Sequence, residues 1–509
     1  MQQLLIRLYP LCLFGIGFVS GTQFALQNYP ILLIMGFAFF YQALTRAKHC
    51  INTSLVYAFS FGYGFFSYSH SWISHPLTAF GNLYTSIQPL VFVVVPAVLA
   101  MYFLVIGWAN WYLQIPGTRC TFALSIITVL VEYLRCEYAP AVPLGQVGSV
   151  WLSVTSMAQN ASIFGVYGLS LITIFFSYAL GELWQNWRSI LLSGGILVAF
   201  FVLGSWRITT TPLQVGNDTV RIVPTAWKQV EKYGSVENRA AHLSYLVQQS
   251  VGDHKVVNLI LWPETTIEFS LLQHDLGYDF IYPEIKPYLQ GMISQETVLL
   301  AGVVLRTKTN KAYNAVFGMS NEGLSYIYKK RFLAPFGEFM PSGLRRITNL
   351  LGIHAMDDFS CGDANQPLLT LRSGIIVKPI ICYEASFSQQ LLSRHQSIDL
   401  MAVSTNDAWF RYNGKEQQFI SHAFRSIENG IPMVRSANKG FSGYVSPIGT
   451  YVVSLSDRLI DVKPHLPLSM TPYRWITSTF SYWVELFLGL FLLMIGIMER
   501  MFRKNQNAS

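Results

Sequence analysis

Charge is scarce in this 509-residue chain. Asp, Glu, Lys and Arg supply 12% of it and apolar residues 52%, about half the charge usual in a soluble domain. With a mean hydropathy of +0.36, this excludes a wholly soluble chain and points to an integral membrane protein, at least in part. Clustered positive charge is lacking too. The net charge is +8, but the basic residues form no stripe of the kind that binds a polyanion, so nucleic acid is not an expected partner. Cysteine is sparse, at positions 12, 50, 120, 136, 361 and 382 only, with no C-x-x-C pair, and the ten histidines form no H-E-x-x-H. No metal site and no cofactor are therefore expected. Cys361 and Cys382 could bridge only in an oxidising compartment, and both are expected to be reduced.

What the chain does have begins with seven apolar spans. They lie near Leu8–Leu26, Tyr29–Leu44, Ile51–Ser69, Ile87–Tyr112, Phe122–Leu134, Ile163–Leu180 and Ile190–Trp206. Crossing a bilayer takes roughly 20 apolar residues, so the ends of the shorter spans are approximate. Arg7 ahead of the first span resembles the start of a secretory signal, but six further spans make it an uncleaved anchor. Basic residues then set the orientation. Arg46 and Lys48 lie between spans two and three, Arg119 between four and five, and Arg188 between six and seven, whereas Ser71–Ser86 has no Lys or Arg. The positive-inside rule puts the amino terminus in the cytoplasm and everything after Trp206 outside. An eighth span, Ile476–Met498, returns the chain to a tail bearing Arg500, Arg503 and Lys504.

Between Arg207 and Arg474 the character changes. Short β-rich runs occur at Thr219–Pro224, Val257–Trp262, Thr297–Leu305, Ala312–Ser320, Gly374–Ile381, Leu400–Ser404, Met433–Ala437 and Gly443–Val445. Helical patterns such as Val236–Val251 and Glu416–Asn429 separate several of them. Such alternation makes one α/β domain, on the outer side by the topology above and tethered to the membrane at both ends. The expected division is a helical domain over 1–212, a catalytic domain over 213–472, and a last helix with its tail over 473–509.

Three strand ends in this domain carry reactive side chains. Leu261-Trp262-Pro263-Glu264-Thr265 delivers a glutamate, which alone reads as a strand-ending turn. Tyr328-Lys329-Lys330-Arg331-Phe332-Leu333-Ala334-Pro335-Phe336-Gly337-Glu338 is a basic run followed by an apolar turn, which alone reads as a solvated loop. Gly374–Phe387 is a β-branched run ending in Cys382-Tyr383-Glu384, and alone its cysteine reads as a small buried hydrophobe. Together they supply what acyl transfer requires. A thiol attacks, a carboxylate takes its proton, and an ammonium stabilises the oxyanion of the tetrahedral intermediate. A carboxylate held in an apolar pocket is tuned to act as base and then as acid.

These motifs resemble the glutamate–lysine–cysteine triad of the nitrilase, or carbon–nitrogen hydrolase, superfamily. More narrowly, W-P-E-T, Y-x-K-x-x-L-x-P-F-G-E, I-C-Y-E and S-x-N-D-A-W-F, placed between seven spans and one, resemble the apolipoprotein N-acyltransferase family over nearly the whole chain. The resemblance implies a membrane α-helical bundle of eight transmembrane helices plus an extracytoplasmic α/β nitrilase-like αββα domain. It makes Glu264 the general base and Cys382 the nucleophile, and the Y-x-K spacing selects Lys330 rather than Lys329 for the oxyanion. The backbone N–H of Tyr383 would be a second oxyanion donor. Glu338 and Glu384 would orient or charge-balance Lys330 and Cys382. Asn406 and Trp409 match a loop near the active site. In the membrane part, Ser71-Trp72-Ile73 and Glu132-Tyr133-Leu134-Arg135 correspond to family segments, which makes Trp72 and Arg135 substrate-contact candidates. A buried charge at a membrane boundary is a functional candidate by default, and Arg135 would bind a lipid phosphate or else pair with Glu132 or Glu137.

Some positions depart from the family pattern. Phe332 replaces a residue that is usually histidine, Arg411 stands where glycine commonly follows A-W-F, the strand at Arg221–Ala226 lacks its usual Q-G-N ending, and Leu144 sits where tryptophan often follows the proline. None touches the triad. They bear on acyl or headgroup preference.

The reading that results is a two-step acyl transfer at a bacterial inner membrane, with the catalytic domain on the periplasmic side. The donor would be a phospholipid, the acceptor a diacylglyceryl apolipoprotein, and the enzyme a monomer. A membrane-tethered amidase would share the three reactive residues but gives no reason for seven preceding spans. A non-catalytic lipid or lipoprotein carrier would need none of the three. Phe339–Cys361, which carries Gly and Ser, is a candidate lid.

Overall fold

The structure, a computed structural model, describes residues 2–79, 82–113, 118–138, 141–183, 187–229, 231–251, 256–275, 277–340, 345, 358–388, 397–411, 413–455 and 457–479. The chain divides into two compact units. One comprises Met1–Pro212, Phe410–Phe424 and Met470–Ser509, the other Leu213–Trp409 and Arg425–Ser469.

In the first unit a long helix stands at each of the seven apolar spans: α1 (Gln2–Gly21), α2 (Pro30–Ala47), α3 (Ile51–Ser69), α4 (Asn82–Leu113), α5 (Thr118–Glu137), then, after a single turn α6 (Thr155–Ala158), α7 (Ala161–Gly181) and α8 (Trp187–Thr210). Four of them, α2, α4, α7 and α8, contain stretches long and apolar enough to cross a membrane, and α1 contributes the shorter apolar run Leu8–Gly21. The other two are diluted by polar side chains. α3 opens with Asn52, Thr53 and Ser54, and α5 carries Arg119, Glu132, Arg135 and Glu137. Small residues let α1 and α3 touch, because a Cβ at Gly17 would overlap the Phe61 carbonyl and one at Gly64 the Phe14 carbonyl. Close backbone approach of this kind is how helices pack when lipid supplies no hydrophobic drive between them. Polar side chains tie other helices together, as Ser54 Oγ donates to Gly107 O (2.8 Å) and Asn110 Nδ2 to Leu44 O (2.9 Å). Of the expected eighth span Ile476–Met498 only Ile476–Thr479, the end of the helix Pro472–Thr479, falls within the described residues; the rest of it lies outside them, as does most of the lid candidate Phe339–Cys361.

The second unit is built on two sheets. The first contains β1 (Val220–Ile222), β2 (Leu259–Leu261), β3 (Ile267–His274), β4 (Gly277–Phe280), β5 (Val298–Thr307), β6 (Ala312–Ser320) and β7 (Gly323–Lys329), closed at one edge by a late strand, β14 (Ile460–Val462). Its order is β14-β1-β2-β5-β3-β4, with β6 and β7 continuing from β5. The second sheet runs β13-β12-β11-β10-β9-β8, from β8 (Leu369–Thr370) and β9 (Ile376–Ile381) through β10 (Leu400–Asn406), β11 (Met433–Asn438) and β12 (Ser442–Val445) to β13 (Tyr451–Ser454).

Side-chain alternation explains the layers. Leu259 and Leu261 of β2, and Val298 and Leu300 of β5, meet Val377, Ile381, Leu400 and Ala402 of the second sheet in one core. Their neighbours Ile260, Trp262, Leu299 and Ala301 face the opposite way, into a core shared with helices α9 (Val236–Val251) and α10 (Ile285–Gln290). Burial on both faces is why these strands read as continuous apolar runs. Ser404 Oγ donates to Trp262 O and Ser436 Oγ to Val223 O, both at 2.9 Å, pinning the two sheets at one end of their strands. Helix α11 (Gly414–Asn429) follows β10 in the chain.

Candidate active site

The parallel strands β2, β9 and β10 all release their reactive residues at their carboxyl ends, where open α/β sheets place ligands. Glu264 follows β2, Cys382 follows β9, and Thr405 and Asn406 close β10. Lys330 follows the antiparallel β7. Two of these turns use backbone that non-glycine residues avoid: Cys382 has φ of 49° and Thr265, next to Glu264, 47°. Such conformations persist where surrounding structure holds them and tend to cluster at functional sites.

Lys330 is the centre of the cluster. It is 1% exposed, and its Nζ donates to Glu264 Oε1 (3.1 Å) and to Glu338 (2.9 Å to Oε1, 2.8 Å to Oε2). Its backbone is held from both sides, N–H to Asn314 O (2.8 Å) and C=O from the N–H of Gly362 (2.7 Å). Burial opposes its charge, but Glu264, Glu338 and Cys382 together outweigh burial and raise its pKa. The ammonium is therefore fixed as a cation. Cys382 is buried beside it, and none of the six cysteines is in a disulfide. Burial pushes the Cys382 thiol up to about 12; the Glu264 charge adds to this, and Lys330 opposes it. Near neutral pH the resting group is a thiol, so reaction needs a proton acceptor.

Glu338 reaches this cluster from the lysine loop. Besides Lys330 it accepts the Ala334 N–H on Oε2 (2.7 Å) and Asn314 Nδ2 on Oε1 (2.6 Å). Asn314 Nδ2 also donates to Glu264 Oε1 (2.7 Å), so one amide links the two carboxylates that flank the lysine. Glu384 does something different. Its Oε1 accepts the N–H of Arg331 (2.6 Å) and Phe332 (3.3 Å) and the Tyr328 hydroxyl (3.1 Å), while Oε2 accepts the N–H of Ile381 (2.9 Å). It thereby clamps the lysine loop to the turn that carries Cys382. Burial raises its pKa, against the lowering effect of those backbone donors and of Lys330. Tyr383 turns its ring edge-on to Phe387 at 5.1 Å, and Phe332 packs on the same phenyl at 5.1 Å. The departure at Phe332 thus fills an apolar corner beside the nucleophile turn.

Sequence reasoning missed three side chains here. Asn314 was hidden inside an apolar strand, where its polarity was the available signal. Lys232 is buried and donates to Glu264 O (3.2 Å) and Thr265 Oγ1 (3.0 Å), holding the strained turn; burial pulls its ammonium down to about 8. Thr405 hydrogen-bonds with the Cys382 thiol.

The remaining candidates make contacts of their own. Asn406 is 2% exposed, with Nδ2 on Gln229 Oε1 (2.8 Å) and Oδ1 accepting from Asn438 (2.9 Å), so its amide braces the loop from within. Trp409 ends a short turn, Asp407–Trp409, and is partly buried. Trp72 and Arg135 belong to the helical unit. Trp72 packs against Phe410 at 4.9 Å. Arg135 is 3% exposed, and its Nη1 donates to Val142 O (2.8 Å) and Leu144 O (3.0 Å) and meets His70 Nε2 (3.1 Å), with Phe66 under the guanidinium at 5.5 Å. Its hydrogen-bond partners are thus carbonyls and an imidazole rather than Glu132 or Glu137. It organises the 142–145 turn, while Glu132 accepts the Val147 N–H (2.6 Å). Among the described residues no group of three or more His, Cys, Asp or Glu could hold a metal.

A thiol, a carboxylate and a fixed ammonium converging at strand ends of two facing sheets describe a carbon–nitrogen hydrolase domain, and residues 223–460 match the carbon–nitrogen hydrolase family. Residues 16–179 match the apolipoprotein N-acyltransferase N-terminal domain, leaving only 1–15, 180–222 and 461–509 outside the two matches. The chain belongs to the apolipoprotein N-acyltransferase family, acyltransferases within the carbon–nitrogen hydrolase superfamily. An apolipoprotein N-acyltransferase of Rhizobium rhizogenes is 29% identical over 77% of this chain and 76% of its own length. One of Rickettsia prowazekii is 26% identical over 94% of this chain and 96% of its own. Among solved structures, a carbon–nitrogen hydrolase from Helicobacter pylori is similar at a TM-score of 0.34 and 14% identity, covering 49% of this chain and 88% of that one.

Proposed function

We propose that the protein transfers an acyl chain from a phospholipid to the free α-amino group of a diacylglyceryl-cysteine at the tip of an apolipoprotein, through a thioester on Cys382. Glu264 takes the thiol proton, and the Cys382 sulfur attacks an ester carbonyl of the phospholipid. Lys330, and the N–H of Tyr383, stabilise the oxyanion. As the tetrahedral intermediate collapses, Glu264 returns the proton to the departing lysophospholipid oxygen. The acceptor amine then attacks the thioester, Glu264 accepts its proton, the thiolate leaves and is reprotonated, and an amide remains. Glu338 keeps Lys330 charged and aimed, and Glu384 sets the distance between the lysine loop and the nucleophile turn.

The observation that carries this reading is the lysine bridged between two carboxylates beside a buried thiol, in a chain whose helical part matches an acyltransferase domain. A membrane location follows from the chemistry of both substrates. A soluble enzyme would have to extract each chain from lipid at about 0.8 kcal/mol per buried CH₂. Eight spans, a bacterial inner membrane and a periplasmic catalytic domain complete the proposal. Trp409 and Trp72 remain its proposed substrate contacts, and Asn406 supports the loop that carries Trp409.

Intact-mass spectrometry of purified protein incubated with phospholipid tests it. An acyl adduct on the parent protein that is absent from Cys382→Ala is expected. Hydrolysis of small amides without any adduct would instead make the protein an amidase, and Cys382→Ala that complements a strain depleted of the endogenous acyltransferase would make it a carrier.

A further inference from the structure

Beside Cys382, on the neighbouring strand β10, begins a polar chain that the mechanism above does not use. Ser404 of β10 pairs with Ile381, the last residue of β9, and of the two residues that follow, Thr405 hydrogen-bonds with the thiol of Cys382. The Thr405 hydroxyl donates to Asp407 Oδ1 at 2.9 Å. Asp407 is in turn held by Arg435 Nη2 at 2.9 and 3.0 Å, and Arg435 also donates to the Phe441 carbonyl. Thr405, Asp407 and Arg435 are all fully buried. An ion pair so deep costs more to desolvate than it commonly returns, which asks what it does there.

We infer that Thr405 is a further catalytic residue, a hydroxyl that switches between Asp407 and the Cys382 sulfur as the sulfur gains and loses its proton. A threonine hydroxyl has one proton to donate and lone pairs to accept with. While Cys382 is a thiol, its S–H donates to Thr405 Oγ1, and the Thr405 O–H points at Asp407. When Glu264 removes the thiol proton, the sulfur becomes an acceptor, and the Thr405 O–H rotates to donate to it. Asp407 keeps its two contacts with Arg435 and stays charge-balanced. After the thioester forms, the sulfur no longer needs a strong donor, and the hydroxyl returns to Asp407. No proton leaves Thr405 at any stage; the proton travels only between Cys382, Glu264, the leaving oxygen and the acceptor amine. The charged groups facing Cys382 are Glu264, Lys330 and Asp407; Thr405, which hydrogen-bonds the sulfur, is the neutral group beside them that can follow the sulfur's change of state.

This rests on the reading of Cys382 as nucleophile, and the test therefore uses no lipid. Alkylation of Cys382 by iodoacetamide, followed across pH by peptide mass spectrometry with Cys382→Ala as blank, is compared for the parent protein, Thr405→Val and Thr405→Ser. The valine keeps the shape and loses the hydroxyl. Labelling of Thr405→Val near neutral pH is expected to be about tenfold slower, the loss of one hydrogen bond to a charged atom, with the pH midpoint displaced upward and the serine variant restored to within about threefold of the parent. An unchanged pH profile in Thr405→Val would overturn the inference. So would a serine variant as slow as the valine, since it would show that the methyl group and packing, not the hydroxyl, are what matter. Failure of the parent to form an acyl adduct in lipid would count against the acyltransferase reading and leave this comparison standing.

Discussion

Each charged neighbour of Cys382 has a definite sign. Burial is the largest influence raising the thiol, Glu264 raises it further, and Lys330 lowers it. The raised thiol is protonated throughout the physiological range and becomes thiolate only as pH climbs toward about 12. Removing the Glu264 charge takes away a repulsive neighbour, so Glu264→Gln should bring the alkylation midpoint down and speed labelling several-fold. The same variant lacks the proton acceptor, and acyl-enzyme formation should fall by about a hundredfold or more. Lys330→Met should do the reverse to labelling, slowing it about tenfold, while also abolishing acylation. Opposite movement in labelling with a shared loss of acylation separates base from cation; movement in the same direction would exclude the assigned roles. Glu264, Lys330 and Cys382 could be read because each ends an apolar run with a reactive side chain. Asn314 and Lys232 could not, since each acts on its partners across dozens of residues of intervening chain.

At the scale of elements, β5 is the strand on which the base depends. It pairs with β2, β3 and β6 at once, and at its middle Gly302 lies against the turn that carries Glu264. A Cβ there would overlap Thr265 N, Pro263 O and Glu264 Cα, all of them backbone atoms. Flexible side-chain ends could yield, but backbone already held at a positive φ cannot do so cheaply. Gly302→Ala should therefore displace Glu264 from Lys330, costing about 1–3 kcal/mol of stability and at least about a hundredfold in acyl-enzyme formation. Chemical denaturation and the intact-mass assay would check the two together, and an active, stable alanine variant would mean the turn is freer than its contacts indicate. The same strands show what sequence could and could not convey. For Ala312–Ser320 and Val236–Val251 the sequence pattern predicts the observed ends, because burial imposes a continuous apolar or amphipathic pattern. The expected β-rich runs do not include β3, β4, β7, β8, β13 or β14. β13 is largely exposed and β14 only partly buried; β3 begins directly after the W-P-E-T turn, and β7 merges into the basic run it delivers. Strands such as β13 and β14, stabilised by pairing rather than by their own apolar face, leave little periodicity to find.

For the whole molecule, the chain's own thiols can report which side of the membrane each part occupies. Cys50 lies between α2 and α3, directly after Arg46 and Lys48, and is exposed; Cys361 lies in the second unit and is also exposed, whereas Cys120, Cys136 and Cys382 are buried. On the proposed eight-span topology, the positive-inside rule would put Cys50 in the cytoplasm and Cys361 on the outer side. A membrane-impermeant maleimide added to intact spheroplasts should label Cys361 and spare Cys50, and both should label once the membrane is permeabilised. Cys361→Ser should remove the outside signal while leaving acyl-enzyme formation in place, because Cys361 is exposed and serine keeps its size at the edge of the Glu338 and Glu384 field. Labelling of Cys50 from outside with Cys361 protected would invert the topology. A catalytic unit facing the cytoplasm could not then meet an acceptor displayed on the outer surface. The side on which Cys361 reacts therefore decides whether the thiol, the lysine and the two carboxylates can reach the substrate their chemistry suits.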